Sequence, residues 1–545
     1  MKKDIFFYFS VLLTLALTSC QKKIDLIVHN ATVYTMGNNI GIASSFAVDD
    51  GKFIAVGGEE LLNRFKANKV LDLKELPVYP GFIDSHCHFL SLGLSLQKVN
   101  LTGTRSFEEV IGRVKDFAKN KKLKAIVGRG WDQNDWEEKT FPNKTILDEL
   151  FPEIPVALRR IDGHALLVNQ KALDLAGIDV NTKIKGGSII KENGKLTGIL
   201  VDAPMRLISN ILPKPSMTEK IKALKDAEKI SFENGLTTVS IAGLNKDDIY
   251  LIDSLQKSDE LSIRVYAMIS NNEDNIAHFL LNGPITTDKL TVRSFKIYAD
   301  GALGSRGAAL KSDYSDLKKH RGSFITPKDS LENLAYKLAT TSFQMNTHAI
   351  GDDANKSVLE AYNKALVFSD DPRWRIEHAQ IVDTSDIKLF NRKIIPSVQP
   401  THAISDMYWA EDRLGKKRLN GAYAYKLLLE KSGRIALGTD FPVENVSPVK
   451  TFFSAVFRED DNLFPEDGYL PSNKLSKLEA LKGMTIWGAY SNFEEAQKGS
   501  IEVGKVADFV ILDRDLFVEP KKRILNAKIV ATILNGNIVY SNRIN

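Results

Sequence analysis

The sequence predicts a (β/α)8 barrel joined to a small β-sandwich domain, with an insertion after the first barrel strand. Eight apolar, strand-like runs alternate with helix-like stretches through the middle of the 545-residue chain. This is the pattern of eight parallel strands joined by crossover helices. Short alternating strands occur near both termini, which predicts one small β domain built from the two ends. The length suffices for a large barrel and a smaller partner domain.

The terminal strands carry turn signals. Residues 45–56 contain an Asp-Gly turn between alternating apolar residues, and residues 529–540 contain an Asn-Gly turn. Both patterns are typical of β-hairpins. Residues 505–512 form a further apolar run between polar neighbours. We therefore expect residues 20–79 and 496–545 to form the sandwich, and residues 80–495 to form the barrel.

The predicted barrel strands follow from the spacing of the apolar runs. They cover residues 78–84, 236–241, 263–269, 295–300, 342–348, 374–378, 394–399 and 435–440. Helical patterns separate most of them, for example over residues 218–233 and 355–366. Two further apolar runs, at 125–128 and 155–159, are assigned to an insertion over about residues 90–215. The count of eight strands depends on that assignment.

The first twenty residues have the layout of a secretory signal. A basic start is followed by an apolar run over residues 5–17 and then by Leu17-Thr18-Ser19-Cys20. The apolar run is too short to span a bilayer as a stable helix. Small residues before a cysteine resemble the lipobox of bacterial lipoproteins. That resemblance implies cleavage of residues 1–19, lipidation of Cys20, and export to the cell envelope as a membrane-anchored protein. The alternative is an uncleaved anchor with an incidental cysteine.

Composition excludes some partners and one kind of stabilisation. The net charge is +5, from 73 basic and 68 acidic side chains, and no dense basic run is interleaved with aromatic residues. We therefore expect no nucleic-acid partner. Cys87 is the only cysteine besides Cys20. If Cys20 is acylated, no disulfide can form within the body, and the core alone must stabilise an exported protein. The oligomeric state stays open.

Four of the nine histidines fall at the ends of predicted barrel strands. His86 and His88 lie two residues apart, so they share one face of the first strand. His348, His378 and Asp440 end three other predicted strands. A single histidine at any of these positions would more often be structural. Because the strand ends of such a barrel converge on one face, the five residues together predict a metal site.

Lys296 stands inside an otherwise apolar strand, over residues 294–300. A free ammonium group is costly to bury there. Two interpretations stay open at this point. Lys296 forms an ion pair with a carboxylate such as Asp300, or carbon dioxide converts it to a carbamate that bridges two ions.

Five segments, in this order, resemble motifs of the amidohydrolase superfamily, and more narrowly of the branch that includes N-substituted formamide deformylase. They are residues 80–88, 296–306, 347–352, 375–380 and 438–442. The likeness extends over about residues 25–545. It implies the following roles: His86 and His88 bind the more buried ion, carbamylated Lys296 bridges two ions, His348 and His378 bind the second ion, and Asp440 contacts the first ion and acts as general base.

The resemblance also implies an activity and its cofactors. We expect a metal-dependent hydrolase that attacks a C–N bond of a small molecule, of the amide or N-substituted formamide type, with a metal-bound hydroxide. Such enzymes act on C–N bonds other than peptide bonds. Two divalent ions are expected, and zinc is favoured, although imidazole and carboxylate ligands also suit manganese, nickel or iron. Asp440 would take a proton from the attacking water and return it to the leaving nitrogen.

Four further residues are candidates for contact with the substrate. His164 lies in a motif of the insertion that resembles the same branch, where the histidine faces the substrate and can stabilise an oxyanion. Trp131 is a candidate pocket wall, Arg306 a candidate partner for an anionic group, and His402 a candidate pocket residue after the seventh strand. Three of them have a structural alternative: a turn for His164, packing for Trp131 and a helix cap for His402.

Two other functions compete with C–N hydrolysis. One is deamination, or hydrolysis of an ester or lactone, on the same fold. Deaminase-like members of the family generally use one ion without a bridging lysine, so Lys296 favours the two-ion type. The other is a surface lipoprotein that binds a solute without catalysis. Such a protein would be expected to have lost at least one ligand, whereas all six residues are present.

Overall fold

The computed structural model describes residues 21–37, 41–121 and 123–542. The predicted signal peptide over residues 1–19 and Cys20 lie outside the described residues. Within the described ranges, every helix is too short or too polar to cross a bilayer.

Eight parallel strands form one sheet in sequence order, which confirms the predicted (β/α)8 barrel. The strands, first to eighth, are Phe82–Cys87, Leu236–Leu244, Arg264–Ser270, Leu290–Tyr298, Gln344–Ala349, Trp374–His378, Ile394–Val398 and Ala436–Leu437. A short strand, Ile285–Thr286, pairs antiparallel with the fourth strand. Each predicted run therefore contributes a barrel strand, with ends shifted by a few residues.

Side-chain bonds and a glycine join the first and eighth strands at a seam. The backbone N–H of Asp440 donates to the carbonyl of His86 at 2.8 Å. The hydroxyl of Thr439 donates to Asp84 Oδ2 at 2.6 Å, and its backbone N–H donates to Oδ1 at 3.1 Å. A Cβ at Gly438 would lie 2.5 Å from the backbone nitrogen of His86, so the seam requires glycine there. The seam thus holds His86 beside Asp440.

Helices cover the outside of the barrel. The longer ones between strands are Met217–Glu233, Lys246–Lys257, Glu273–Asn282, Lys328–Ala339, Asp352–Ala365 and Tyr425–Ser432. Three short helices, Pro400–Ser405, Ala410–Leu414 and Lys416–Leu419, follow the seventh strand, and Pro448–Phe457, Lys477–Gly483 and Ile486–Ser491 follow the eighth. The helix Met217–Glu233 begins at a capping box in which Ser216 and Glu219 bond each other's backbone N–H. Both helices predicted from sequence are confirmed.

Both termini build the β-sandwich. One sheet holds Lys22–His29, Ser45–Asp49, Lys52–Gly57 and Phe65–Asp72. The other combines Thr32–Tyr34, Ile42–Ala43 and Pro77–Pro80 with the carboxyl-terminal strands Phe509–Leu512, Ile529–Leu534 and Asn537–Ser541. Phe46 packs between the two sheets, with ring centroids 5.3 Å from Phe53 and 4.9 Å from Phe509. The predicted domain formed from the two chain ends is therefore present.

The predicted first barrel strand, residues 78–84, is two strands. Pro77–Pro80 belongs to the sandwich and Phe82–Cys87 to the barrel, with Gly81 between them. A Cβ at Gly81 would lie 2.2 Å from the hydroxyl of Thr237, so the chain passes too close to the second barrel strand for any other residue. The run looked continuous because both halves are buried and apolar, and periodicity alone cannot show a change of sheet.

The insertion between the first and second barrel strands has a sheet of its own. Its strands are Val99–Asn100, Ile126–Trp131, Val156–Arg160, Ala165–Val168, Gly187–Glu192 and Lys195–Asp202. The two apolar runs at 125–128 and 155–159, which the sequence analysis assigns to the insertion, lie in this sheet. Helices Phe107–Ala118, Thr145–Leu150, Gln170–Leu175 and Met205–Ile211 accompany it. The insertion carries residues to the same cavity as the barrel strand ends.

Candidate metal centre

Three of the predicted ligands form a close group at the seam. Nε2 of His88 lies 3.1 Å from Asp440 Oδ1, and Nε2 of His86 lies 3.6 Å from the same oxygen. Ligand atoms of the three residues lie within 4.8 Å of one another. The first strand supplies both imidazoles and the loop after the eighth supplies the carboxylate. The seam therefore brings together three candidate ligands from the first and the last strands of the barrel, which are neighbours in space.

The other two predicted histidines lie beside this group. The ring of His378 has its centroid 4.8 Å from that of His86 and 4.6 Å from that of His348. A second group of ligand atoms within 4.8 Å joins His378 and Asp440 to His402. The structure thus brings all five strand-end residues together, and it adds His402 to their immediate surroundings.

Lys296 reaches the same centre without a carboxylate partner. Its Nζ is fully buried and lies 3.1 Å from Nε2 of His86. Among the described residues, no carboxylate oxygen lies within 4.0 Å of that nitrogen. Burial lowers the pKa of Lys296 to about 8. Desolvation thus works against the charged amine at this position.

The ion pair between Lys296 and Asp300, one of the two interpretations from sequence, is not formed. Asp300 accepts backbone N–H groups from Ala309, Ile350 and Gly351 at 2.8 to 3.0 Å. These bonds commit the carboxylate to the loops that follow the fourth and fifth strands. Asp300 therefore supports the backbone around His348 and leaves Lys296 unpaired.

Glu377 and Arg375 orient His86 from beneath the centre. Nδ1 of His86 hydrogen-bonds Glu377 Oε2, which leaves Nε2 facing the other ligands. Arg375 Nη2 donates to the same carboxylate at 3.0 Å. Burial alone would raise the pKa of Glu377, but the charges of Arg375 and His86 lower it to about 2. Burial and the nearby charge of Lys296 lower the pKa of His86 to about 4, so its imidazole is neutral, as a metal ligand must be.

Backbone geometry and a glutamine fix His378. Nδ1 of His378 lies 2.8 Å from Gln399 Oε1. The backbone has φ of 72° at His378 and 61° at Asp440, both in the left-handed region that non-glycine residues rarely adopt. Such conformations persist only where the surroundings enforce them, and they are enriched at functional sites. His378 is the last residue of the sixth strand, and Asp440 lies in the loop after the eighth.

His164 faces the centre from the insertion. Its ring centroid lies 5.2 Å from that of His348, and its Nδ1 lies 2.7 Å from Asp202 Oδ1. Burial lowers the pKa of His164, but the bond to Asp202 together with the charges of Asp202, Asp162 and Asp300 outweighs burial, and the net shift is upward. His164 thus presents a fixed ring, and a potential proton donor, to the cavity.

The donor set fits divalent metal ions. Oδ1 of Asp440 and Nε2 of His402 are buried and have no hydrogen-bond partner in the described chain. His88 Nε2 approaches that oxygen to 3.1 Å, but the two atoms are not aligned for a hydrogen bond. Orphaned buried acceptors beside neutral imidazoles are the arrangement that a cation satisfies. The chemistry of these ligands suits zinc and similar ions.

A cavity of about 280 Å³ opens over the centre. Its wall contains seven of the residues singled out from sequence, namely His88, His164, Lys296, His348, His378, His402 and Asp440. His86 lies just beneath them, fully buried. On the far side, burial raises the pKa of the wall residue Asp406 to about 7, and it raises the pKa of Glu444 as well.

Two predicted substrate residues do not reach this cavity. Trp131 is 1% exposed, donates its indole N–H to the carbonyl of Leu158 at 2.7 Å, and packs against Trp136. Trp131 belongs to the core of the insertion, because the face of its strand that carries the indole packs against other buried residues of the insertion. Arg306 donates to Asp316 at 2.9 Å and lines a separate outer cleft. An acidic neighbour in the same loop holds it there.

Sequence reasoning missed Arg375, Glu377 and Gln399 as supports for the ligands. A signal was present: Arg375 and Glu377 alternate within a strand whose every residue is buried. Charged residues at positions i and i+2 of a buried strand face the same side and must pair with something there. That pattern predicts an interior charge pair beside the histidine that ends the strand.

Comparisons with known proteins agree with this geometry. Residues 69–540 match the family model described as the amidohydrolase family. The putative amidohydrolase YtcJ of Bacillus subtilis strain 168 is 32% identical, over 94% of this chain and 98% of that protein. Protein LONG AFTER FAR-RED 3 of Arabidopsis thaliana is 31% identical, over 95% of this chain and 91% of that protein. The N-substituted formamide deformylase of Arthrobacter pascens is 25% identical, over 95% and 98%.

One solved structure has a similar fold over most of the chain. It is an uncharacterized metal-dependent hydrolase from Pyrococcus horikoshii OT3, with a TM-score of 0.74 and 28% identity. The match covers 91% of this chain and 99% of that protein. The barrel, the sandwich and the insertion are therefore shared with a protein described as a hydrolase.

Proposed function

Because this chain belongs to the amidohydrolase family and is a metal-dependent hydrolase, we propose that it uses two ions to hydrolyse a C–N bond of a small-molecule amide or N-substituted formamide. The observation that carries the proposal is the buried Lys296 amine beside His86, at the meeting point of four strand ends and without a carboxylate partner among the described residues. The deformylase of Arthrobacter pascens, whose name states a C–N substrate, supports the bond type.

The ligands divide into two sets in this proposal. His86, His88 and Asp440 would hold one ion, and His348 and His378 would hold the other. Between them, the neutral Lys296 amine adds through nitrogen to the carbon of CO2 and releases a proton to solvent, which leaves a carbamate with two oxygens. Burial of Lys296 supports this step because it disfavours the ammonium form, which cannot react.

Bound divalent ions would supply a water of lowered pKa and would polarise the substrate carbonyl. The chain's own groups do the rest. Asp440 holds the proton removed from the attacking water and passes it to the leaving nitrogen. His164, kept in place by Asp202, faces the cavity and can donate to the carbonyl oxygen as negative charge develops there. Residues of the insertion and of the loops after the barrel strands together line the cavity around these groups.

Metal content tests the two-ion site. We expect about two zinc ions per chain in the parent and about one or fewer in Lys296→Ala, because the bridge is lost. Intact mass under native conditions should show one added CO2 in the parent and none in the variant. Short carboxylic acids added to Lys296→Ala should restore part of the metal. The matched control is Lys498→Ala, which removes another buried lysine that pairs with Glu494 at 3.0 Å. A parent that binds no metal when purified with zinc would refute the site.

Substrate screening tests the bond type. Matched N-formyl, N-acyl and ester compounds should be compared by release of the amine or alcohol. Amine release from amides or formamides is expected. Cleavage of esters alone would contradict the C–N assignment while leaving the metal centre intact.

Localisation is a separate part of the proposal. The basic start, short apolar run and Leu17-Thr18-Ser19-Cys20 support a lipid anchor in the cell envelope. Incorporation of a radiolabelled fatty acid is expected in the parent and is expected to be lost in Cys20→Ser. Equal labelling of both would contradict the anchor.

A further inference from the structure

A second cavity, of about 460 Å³, adjoins the metal cavity and is lined by three cationic side chains of the insertion. Lys98 immediately precedes the edge strand Val99–Asn100. Arg129 lies on the adjacent strand of the sheet, and Arg159 lies on the strand after that. Arg129 and Arg159 are direct register partners in the parallel ladder, so their side chains leave the same face of the sheet. We call these three residues the basic pocket.

The cations of the basic pocket form no ion pair in the described chain. Among the described residues, no carboxylate oxygen lies within 4.0 Å of any of its three cationic groups. Arg129 donates to the carbonyl of Ile161 at 2.7 Å and Arg159 to the carbonyl of Gly163 at 3.0 Å, and the buried Nε of Arg129 has no partner at all. Gathering unpaired cations in a cavity is costly unless a ligand compensates them.

The acid nearest to the basic pocket is already engaged. Asp162 lies in the wall of the cavity, but its Oδ2 accepts from Arg160 at 2.6 Å and its Oδ1 accepts from the backbone of His164 at 2.9 Å. Burial and the charges of Arg159 and Arg129 lower the pKa of Lys98, which shows that the three cations repel one another across the cavity. Asp162 attracts both arginines from beyond ion-pair distance, but burial still lowers the pKa of Arg129 to about 10 and lowers the pKa of Arg159, so the compensation is only partial.

The two cavities share part of their walls. His88, Asp162, His164, Tyr298 and Val443 line both of them. His88 is a ligand of the metal centre and His164 faces it. The two cavities are therefore neighbours, and a substrate whose reacting bond lies over the metal centre would reach the basic pocket by extending past these shared residues.

We propose that the basic pocket binds an oxyanion group of the substrate, a carboxylate or a phosphate, so that the substrates are anionic amides or formamides. The proposal rests on the proposed function for the reacting bond, but the anion site stands on its own geometry. Guanidinium groups suit it because their planar N–H pairs match two oxygens of one oxyanion. In this arrangement the basic pocket selects substrates by the charge at one end of the molecule, and the metal centre acts on the bond at the other end.

Binding of simple anions tests the pocket without catalysis. Calorimetry on the metal-loaded, full-length protein in detergent should detect succinate or inorganic phosphate at low ionic strength. The double variant Arg129→Gln/Arg159→Gln should bind at least about 10-fold more weakly, because each charge-assisted bond contributes about 1.5–3 kcal/mol. The matched control is Lys195→Gln, which removes an exposed lysine of the same insertion and should bind like the parent. Equal affinity in the double variant, or no binding by the parent, would overturn the proposal.

Substrate discrimination gives the second test and separates the two proposals. N-acyl compounds that end in a carboxylate, a phosphonate or a neutral carboxamide are compared by kcat/KM. The parent should prefer one of the acids over the carboxamide, and the double variant should lose at least about 10-fold of that preference. The preferred acid distinguishes a carboxylate from a phosphate. If no compound is hydrolysed but anion binding depends on the arginines, the proposed function fails and the pocket stands. If hydrolysis shows no preference for charge, the pocket fails.

Discussion

The candidate metal ligands lie on the barrel, whereas the insertion supplies most of the cations that surround them. Apart from Lys296, every lysine and arginine lining the two cavities in the described chain comes from the insertion. Barrel strands hold the ligands rigidly at their carboxyl ends, which is where enzymes of this fold keep their sites. The insertion lies outside that framework and can change without disturbing the ligands. If the two proposals hold, the reaction and the choice of substrate are encoded in different parts of the chain.

Each region holds both paired and unpaired cations. In the barrel, Arg375 is fully buried and pairs with Glu377, whereas Lys296 has no carboxylate partner among the described residues. In the insertion, Arg160 is buried and pairs with Asp162, whereas Arg129 and Arg159 have no carboxylate oxygen within 4.0 Å among the described residues. The paired cations fix local geometry, and the unpaired cations are available for binding. The three predictions below test how the two regions divide support of the metal centre from binding, from the largest expected effect to the smallest.

The largest effect is expected for Glu377→Gln. Removing one partner of a buried pair leaves Arg375 uncompensated, which costs about 3–5 kcal/mol of unfolding free energy. His86 also loses its support, so metal affinity should fall about 10–100-fold. Denaturant unfolding and metal titration measure the two effects.

The matched control for that variant is Glu494→Gln. Glu494 is also buried and bonds Lys498 and Thr291, near the start of the fourth strand, away from the ligands. It should lose stability and keep the parent's metal affinity. Equal loss of metal affinity in both variants would show that Glu377 acts only through stability.

A smaller effect is expected for Trp131→Phe. The change removes the indole bond to Leu158 and part of a buried ring, which should lower the unfolding free energy by about 1–3 kcal/mol. Trp131 lies in the core of the insertion, so KM for any substrate should change less than about 2-fold. A large rise in KM at unchanged stability would place Trp131 at the substrate after all.

The smallest effect is expected for Asp406→Asn, on the barrel side of the cavity. Burial raises the pKa of Asp406 to about 7, so the folded protein binds this proton more tightly than the unfolded chain. The stabilising effect of that proton is lost as pH rises toward 7. The variant does not titrate there, so its stability relative to the parent should increase between about pH 4, near the ordinary pKa of an aspartate, and about pH 7, and change little above that.

Asp460→Asn is the control for the pH effect. The pKa of Asp460 is lowered, although burial opposes the shift, because Tyr408 and backbone N–H groups bond its carboxylate. Its charged form therefore stabilises the fold as pH rises, so this variant should lose a few tenths of a kcal/mol toward high pH. A parallel response of the two variants would contradict the raised pKa of Asp406.

The sequence predicted the eight-strand barrel and the meeting of His86, His348, His378 and Asp440, because strand-end position is a local property. An apolar run followed by a histidine or an aspartate predicts that this side chain will lie at the carboxyl end of a barrel strand. Lys296 needed the resemblance, because burial alone allowed an ion pair. The structure removed that alternative by showing Asp300 bonded to three backbone N–H groups.

The basic pocket could not be predicted, because it depends on register between strands that are distant in sequence. Lys98, Arg129 and Arg159 meet only through the pairing of three insertion strands, and no local pattern fixes that pairing. Arg306 was the arginine chosen from sequence for an anionic group. Asp316 pairs with Arg306 in the structure. The two residues are ten positions apart in a loop, and no sequence pattern predicts a contact at that spacing.

Because the candidate ligands lie at the seam between the first and eighth strands, metal binding would raise the stability of the closed barrel. Asp84 and Thr439, which close it, are 355 positions apart, and the ligands His86 and Asp440 lie directly beside them. An ion that binds only the closed barrel stabilises it by mass action, by about 2.7 kcal/mol at a free concentration 100 times its Kd. Metal starvation would therefore loosen the two ends of the barrel from each other. The enzyme would then be degraded as well as inactive, so its abundance would follow the metal available in its compartment.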